Sequence, residues 1–141
     1  LGRPQAAAEL VAQELERHPE SGRLRVLQSR ALLQLGRIDE AAQVADDAVE
    51  RDAGMADAFY QRAVVALARK NGLAAIDDLV VATGLDTRHI EARKALAMLR
   101  HVQGDDAEAR RLLTEVLAID PADRDARADL ATLGGAGGTP P

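Results

Sequence analysis

The chain has 141 residues, 47% of them hydrophobic and 29% charged, with a formal net charge of −5. That is enough chain for one folded unit, and the absence of cysteine excludes disulfides and thiolate metal sites. No apolar run approaches the ~20 residues that cross a bilayer, so no membrane insertion is expected. The acidic balance argues against nucleic acid as a partner.

Apolar content is mostly Ala, Leu and Val, and Phe59 and Tyr60 are the only two aromatics. Ala and Leu favour helices packed through small side chains. The first expected helix runs from about Pro4 to Arg17, because a proline suits a first helical position. His18-Pro19-Glu20-Ser21-Gly22 breaks the pattern. A second helix spans about Arg23 to Leu35 and stops at Gly36, a residue suited to the left-handed cap. The third runs from Ile38 to Arg51, and Asp52-Ala53-Gly54 interrupts before Ala56 to Arg69. Asn71-Gly72 is the next turn signal. Leu73 to Thr83, Ile90 to Gln103, Asp106 to Ile119 and Arg124 to Leu133 complete eight helices. Asp105 is placed to cap the helix that follows it. The Gly/Pro stretch 134–141 has nothing to bury and reads as a flexible tail.

These elements repeat. Ala41, Ala75 and Ala109 lie 34 residues apart, as do Asp52, Asp86 and Asp120. Ala53, Thr87 and Pro121 follow in step, with Pro19 one period earlier. Gly2, Gly36 and Gly104 share a ladder with one rung replaced by Lys70. A fixed period of this length marks stacked units, each burying its neighbour's apolar face.

The repeat resembles the tetratricopeptide family in its bacterial tandem arrays. The match is carried by Leu32-Leu33-Gln34-Leu35-Gly36-Arg37-Ile38-Asp39-Glu40-Ala41 and its closing Ala48-Val49-Glu50-Arg51-Asp52. It recurs in Leu96-Ala97, Gly104-Asp105-Asp106-Ala107-Glu108-Ala109 and Leu117-Ala118-Ile119-Asp120-Pro121. The middle unit keeps Ala63, Ala75 and Ala82. The resemblance implies an all-α, right-handed α-solenoid of antiparallel helix pairs over 1–133. It divides into a lone second helix (1–21), units 22–55, 56–89 and 90–123, and a lone first helix (124–133). Arg25, Gln28, Arg62, Arg93 and Arg100 occupy first-helix positions that are apolar in the family. They are expected to lay their stems on the surface with their charged heads in water.

No catalytic constellation stands out. His18, His89 and His101 are far apart and lack metal-ligand spacing. Asp46-Asp47 and Asp77-Asp78 recur on second helices and read as a solvated acidic face. No cofactor, metal or enzymatic activity is expected. By the resemblance, the first helices line a concave groove that receives a partner peptide or protein. Its lining would be Val26, Leu27, Arg30 and Leu33, then Tyr60, Gln61, Val64 and Leu67, then Lys94, Ala95, Met98 and His101. Val26, Leu27, Val64 and Leu67 read equally well as inter-helix core. The clamp that grips a peptide carboxylate in the co-chaperone subset is missing, with Val26, Gln61, Glu91 and Ala95 at most of its positions.

The leading functional expectation is a protein-interaction scaffold, in envelope assembly, secretion or polysaccharide export. The alternatives are a regulatory or substrate-docking segment of a larger enzyme, and a self-assembling scaffold. The compartment, cytoplasmic or periplasmic, stays open. The chain opens on Leu1, at the turn inside a unit, which reads as a cut end. The first helix would then expose Leu10, Val11 and Leu15 and seek a second copy in a homodimer.

Overall fold

The computed structural model of the chain describes residues 3–135. These form eight α-helices and, among the described residues, no strand: α1 (Arg3–Arg17), α2 (Gly22–Gln34), α3 (Ile38–Arg51), α4 (Ala56–Ala68), α5 (Gly72–Leu85), α6 (Ile90–Val102), α7 (Asp106–Ile119) and α8 (Arg124–Gly135). Two helices run two residues past their expected ends. α5 passes Thr83, whose hydroxyl donates back to the Leu79 carbonyl at 3.0 Å within the helix. α8 continues through Gly134 and Gly135, so the expected tail begins no earlier than residue 136. The remainder of that tail, and Gly2 on the glycine ladder, lie outside the described residues. The chain divides into two compact units, Leu1–Leu85 with α1–α5 and Asp86–Pro141 with α6–α8.

The period is written into the backbone hydrogen bonds. After α2, the Arg37 N–H donates to the Leu32 carbonyl at 2.9 Å and the Gly36 N–H to Leu33 at 3.0 Å. Asn71 to Ala66 with Lys70 to Leu67, and Asp105 to Arg100 with Gly104 to His101, repeat the pair. This is the Schellman closure, which needs a residue with positive φ at its turn. Gly36 and Gly104 supply it with φ of 75° and 84°, and Lys70 adopts it with φ 59°. At the other kind of turn, Asp52, Asp86 and Asp120 accept through Oδ1 from the N–H two residues on. Of the first helices, α2, α6 and α8 are capped by Ser21, His89 and Asp123, whose side chains accept from Leu24, Ala92 and Ala126, while α4 follows Met55 with no side-chain cap bond. Asp105 caps α7 by accepting from the Glu108 N–H.

Each unit has its own core. In the first, Ala41, Ala45, Ala48, Ala58, Ala63, Ala75 and Ala82 are fully buried around Val65, Ile76 and Leu79. In the second, Ala92, Ala97, Ala109 and Ala126 surround Leu96, Leu112, Leu113 and Val116. Alanines where helices cross let the axes approach closely, so a larger side chain there overpacks the contact.

Three of these first-helix arginines, Arg25, Arg62 and Arg93, turn their heads to carboxylates and not to water. Arg25 pairs with Asp47 and also donates to the Ser21 carbonyl, and Arg93 pairs with Glu115 and donates to the Thr87 carbonyl. Their side chains are only 11% and 12% exposed. Burial pushes the Asp47 carboxyl up, but hydrogen bonds from Arg51 and Arg25 outweigh it and hold the group below the ordinary carboxylate range. Arg62 lies over the Phe59 ring and donates to both oxygens of buried Asp78, at 2.9 and 2.7 Å. Asp78 is therefore no part of a solvated acidic face. Arg100 donates to Gln103, with its Nε buried.

Candidate functional site

The residues expected to line a groove fall into two groups, one in each unit. In the first unit α2 packs on α3 and α4, and Val26 and Gln61 are turned into that packing and buried. The amide of Gln61 donates to the Ser29 hydroxyl at 3.2 Å, and that hydroxyl donates to the Ala41 carbonyl at 2.8 Å. Gln61 thus joins three helices and presents nothing to a ligand. Leu33, Tyr60, Val64 and Leu67 are half-buried, while Leu27 and Arg30 are exposed.

Arg30 has no ion-pair partner among the described residues. It lines a cleft of about 280 Å³ between α1 and α2 together with Ala7, Leu10, Val11, Leu27, Ala31 and Gln34. The cleft is largely apolar, with one uncommitted cation among its lining. It also takes in two of the three residues expected to self-associate. Leu10 is exposed, and Val11 and Leu15 are half-buried.

In the second unit Lys94 is already occupied. Its ammonium lies 3.2 Å from both Asp123 and Asp125 and 3.7 Å from Glu91. Burial pulls the ammonium down, but the hydrogen bonds to Asp123 and Asp125 outweigh it and hold it above the ordinary lysine value. A cation neutralised inside its own unit has little left for a partner's carboxylate. Met98 and His101 are exposed, and the His101 Nδ1 lies 2.6 Å from an oxygen of Asp106. They border a cleft of about 110 Å³ with Ala97, Leu113, Asp129, Thr132 and Leu133. Leu113, Asp129, Thr132 and Leu133 lie three repeats after Val11, Leu27, Arg30 and Ala31, so the two clefts occupy one register of the repeat. The arginine of the first is a threonine in the second.

Among the described residues, no three His, Asp or Glu side chains converge as a metal site, and no helix is long and apolar enough to cross a membrane. His89, one of the three histidines without metal-ligand spacing, caps α6. Sequence reasoning misses the Ser29–Gln61 bridge. Its only signal is a polar pair at positions that hold Ala63 and Ala95 one repeat later.

Helix pairs closed by the same hydrogen bonds every 34 residues define an all-α helical-repeat protein of the solenoid class. A family model for the tetratricopeptide repeat matches residues 1–56 and 30–86, and the chain belongs to that family. The crystal structure of a thermophilic TPR protein from Thermus thermophilus is similar, with a TM-score of 0.82 and 26% identity over 94% of this chain and 74% of that one. A crystal structure of MamA is similar with a TM-score of 0.80 and 19% identity, covering 96% and 79%. The first TPR domain of Spaghetti, bound to an HSP90 peptide, gives a TM-score of 0.76 and 19% identity, covering 82% and 91%. No curated protein is a significant match by sequence.

Proposed function

We propose that the chain is a non-enzymatic scaffold that binds a segment of another protein on the faces built by its first helices. The observation that carries this reading is the cleft beside Arg30. An exposed guanidinium without an internal carboxylate borders an apolar surface lined by Leu10, Val11 and Leu27. That combination suits an apolar anchor followed by an acidic group. Tyr60 and Val64 extend the face along α4 in the same unit, and Met98 with His101 offers a separate, less basic site in the second unit. Lys94, Val26 and Gln61 are left out of the contact set. The binding of an HSP90 peptide by the Spaghetti domain supports a peptide ligand as the kind of partner.

The test is affinity capture from the source organism with the chain as bait, compared with Arg30→Glu and Leu27→Glu. A genuine partner should be lost from both variants and retained by Asp46→Ala. If capture is unchanged by both groove variants, the face is wrongly assigned. Roles in envelope assembly, secretion or polysaccharide export would be read from the captured protein.

A second reading is favoured by the exposure of Leu10, which gives a homodimer through α1 its apolar centre. Sedimentation of the wild type against Leu10→Glu with Val11→Glu decides it. A monomer at every concentration would dismiss the dimer.

A further inference from the structure

The outer face of α5 departs from the repeat. On α3 the row reads Asp39, Gln43, Asp46, Asp47 and Glu50; one repeat later the same positions hold Leu73, Asp77, Val80, Val81 and Gly84. Leu73 is 72% exposed, Val80 46% and Val81 40%. They follow a helical stripe, recurring at four, seven, eight and eleven residues from Leu73. They lie outside the fully buried side of α5, which is filled by Ala75, Ile76, Leu79 and Ala82. The unit thus carries its own control: the equivalent surface of α3 is polar, as solubility asks.

The surroundings indicate what fits. Asp77 sits within the stripe, exposed and without a cationic partner among the described residues. Beside it a cleft of about 460 Å³ opens between α3, α4 and α5, with Ala42, Val65 and Ala74 among its lining and Asp46 and Asp77 at its edge. Both arginines of that cleft are committed, Arg62 to Asp78 and Asp46, and Arg69 to Asp39. The net offer is apolar surface with an unmatched carboxylate. Leu73 and Val80 lie two turns apart, the spacing of anchors on a facing helix, and Ala74 and Gly84 allow close approach of its axis.

We propose that this face of α5 is a second docking surface, distinct from the faces of the first helices. Its occupant is an amphipathic helix of a partner protein, with apolar residues on one side and a lysine or arginine that meets Asp77. The probe is a synthetic amphipathic helix of leucine, alanine and lysine, paired with a twin in which glutamate replaces lysine. Each is titrated into the full ¹⁵N-labelled chain and followed by amide shifts. The lysine peptide should move the amides of Leu73, Asp77, Val80 and Gly84 and bind about tenfold or more tighter than its twin. Leu73→Asp with Val80→Asp restores the residues that α3 carries at these exposed positions. It should weaken binding about tenfold or more without altering the helical circular dichroism. Arg30→Glu should leave this binding unchanged.

Equal binding of both peptides, no binding of either, or indifference to the double variant overturns the proposal. Shifts confined to Leu27, Tyr60 and Val64 also overturn it while leaving the first-helix reading in place. Self-association that Leu73→Asp abolishes would make the occupant a second copy and overturn the assignment to a different protein.

Discussion

Lys70 is the residue at which the repeat and its chemistry disagree most plainly. Its φ of 59° is the conformation that Gly36 and Gly104 adopt at the same step of the period. A side chain bearing a Cβ is crowded there, at roughly 1–2 kcal/mol. Lys70→Gly should therefore stabilise the chain by about 0.5–1 kcal/mol, with some of the gain offset by the greater freedom of glycine when unfolded. Urea unfolding of the two proteins measures it, and a loss of stability would mean that Lys70 makes a compensating contact. Residue-level reading of the sequence does less well for the proposed contacts. Register leaves Val26 open between groove and core and assigns Gln61 to the groove, yet helix packing turns both inward. Register also places Lys94 on α6, where it lies, but its partners Asp123 and Asp125 sit on the α7–α8 turn and on α8, where sequence gives no distance.

At the scale of the helix, the first and third full repeats carry an ion pair where the middle one carries none. Arg25–Asp47 and Arg93–Glu115 occupy the positions that hold Phe59 and Val81 in between. The family resemblance places these arginines on the first helices, and a period of 34 places the carboxylates on the second. What sequence does not show is that the two rows face each other. A double-mutant cycle on Arg93→Met and Glu115→Ala should return a coupling of about 1 kcal/mol, modest because Glu115 keeps one side in solvent. A coupling of zero would reduce the pair to a crossing of two independent side chains. Helix boundaries are legible because their chemistry is local: Gly36, Asp105 and the Asp52 series act within a few residues of themselves.

For the molecule as a whole, the carboxylates set the response to acid. Asp47 and Asp123 are held below the ordinary carboxylate range, Asp123 first by the Ala126 N–H it caps and then by Lys94. Glu108 is held down by Arg111. A group whose pKa is lower folded than unfolded contributes stability above its unfolded value, ~4, and loses it as pH falls through the folded value. Stability should hold level between about pH 5 and 8 and decline below about 4. Asp123→Asn should flatten that decline, since the variant carries one fewer proton-linked group. Denaturant midpoints at pH 3 and pH 6 for both proteins check the sign. The all-α class is the most legible property of all, because it rests on a pattern summed over the chain and not on any one contact. Circular dichroism should show helix far above the ~30–35% of ordinary domains.

The bridge from Gln61 through Ser29 to the Ala41 carbonyl limits how the repeats can be rearranged. It links a first helix to the first helix of the next repeat, and it occurs at one junction: a repeat later, Ala63 and Ala95 stand in its place. The units therefore look alike in outline but are not interchangeable bricks. A gene in which α4–α5 were deleted would bring Ala95 against Ser29 and strip that hydroxyl of its donor. One in which α2–α3 were duplicated would set Leu27 there instead. Each misordered chain would carry a buried polar group short of one bond, at about 1–3 kcal/mol. The bridge works as an address, telling this array which neighbour belongs at which joint.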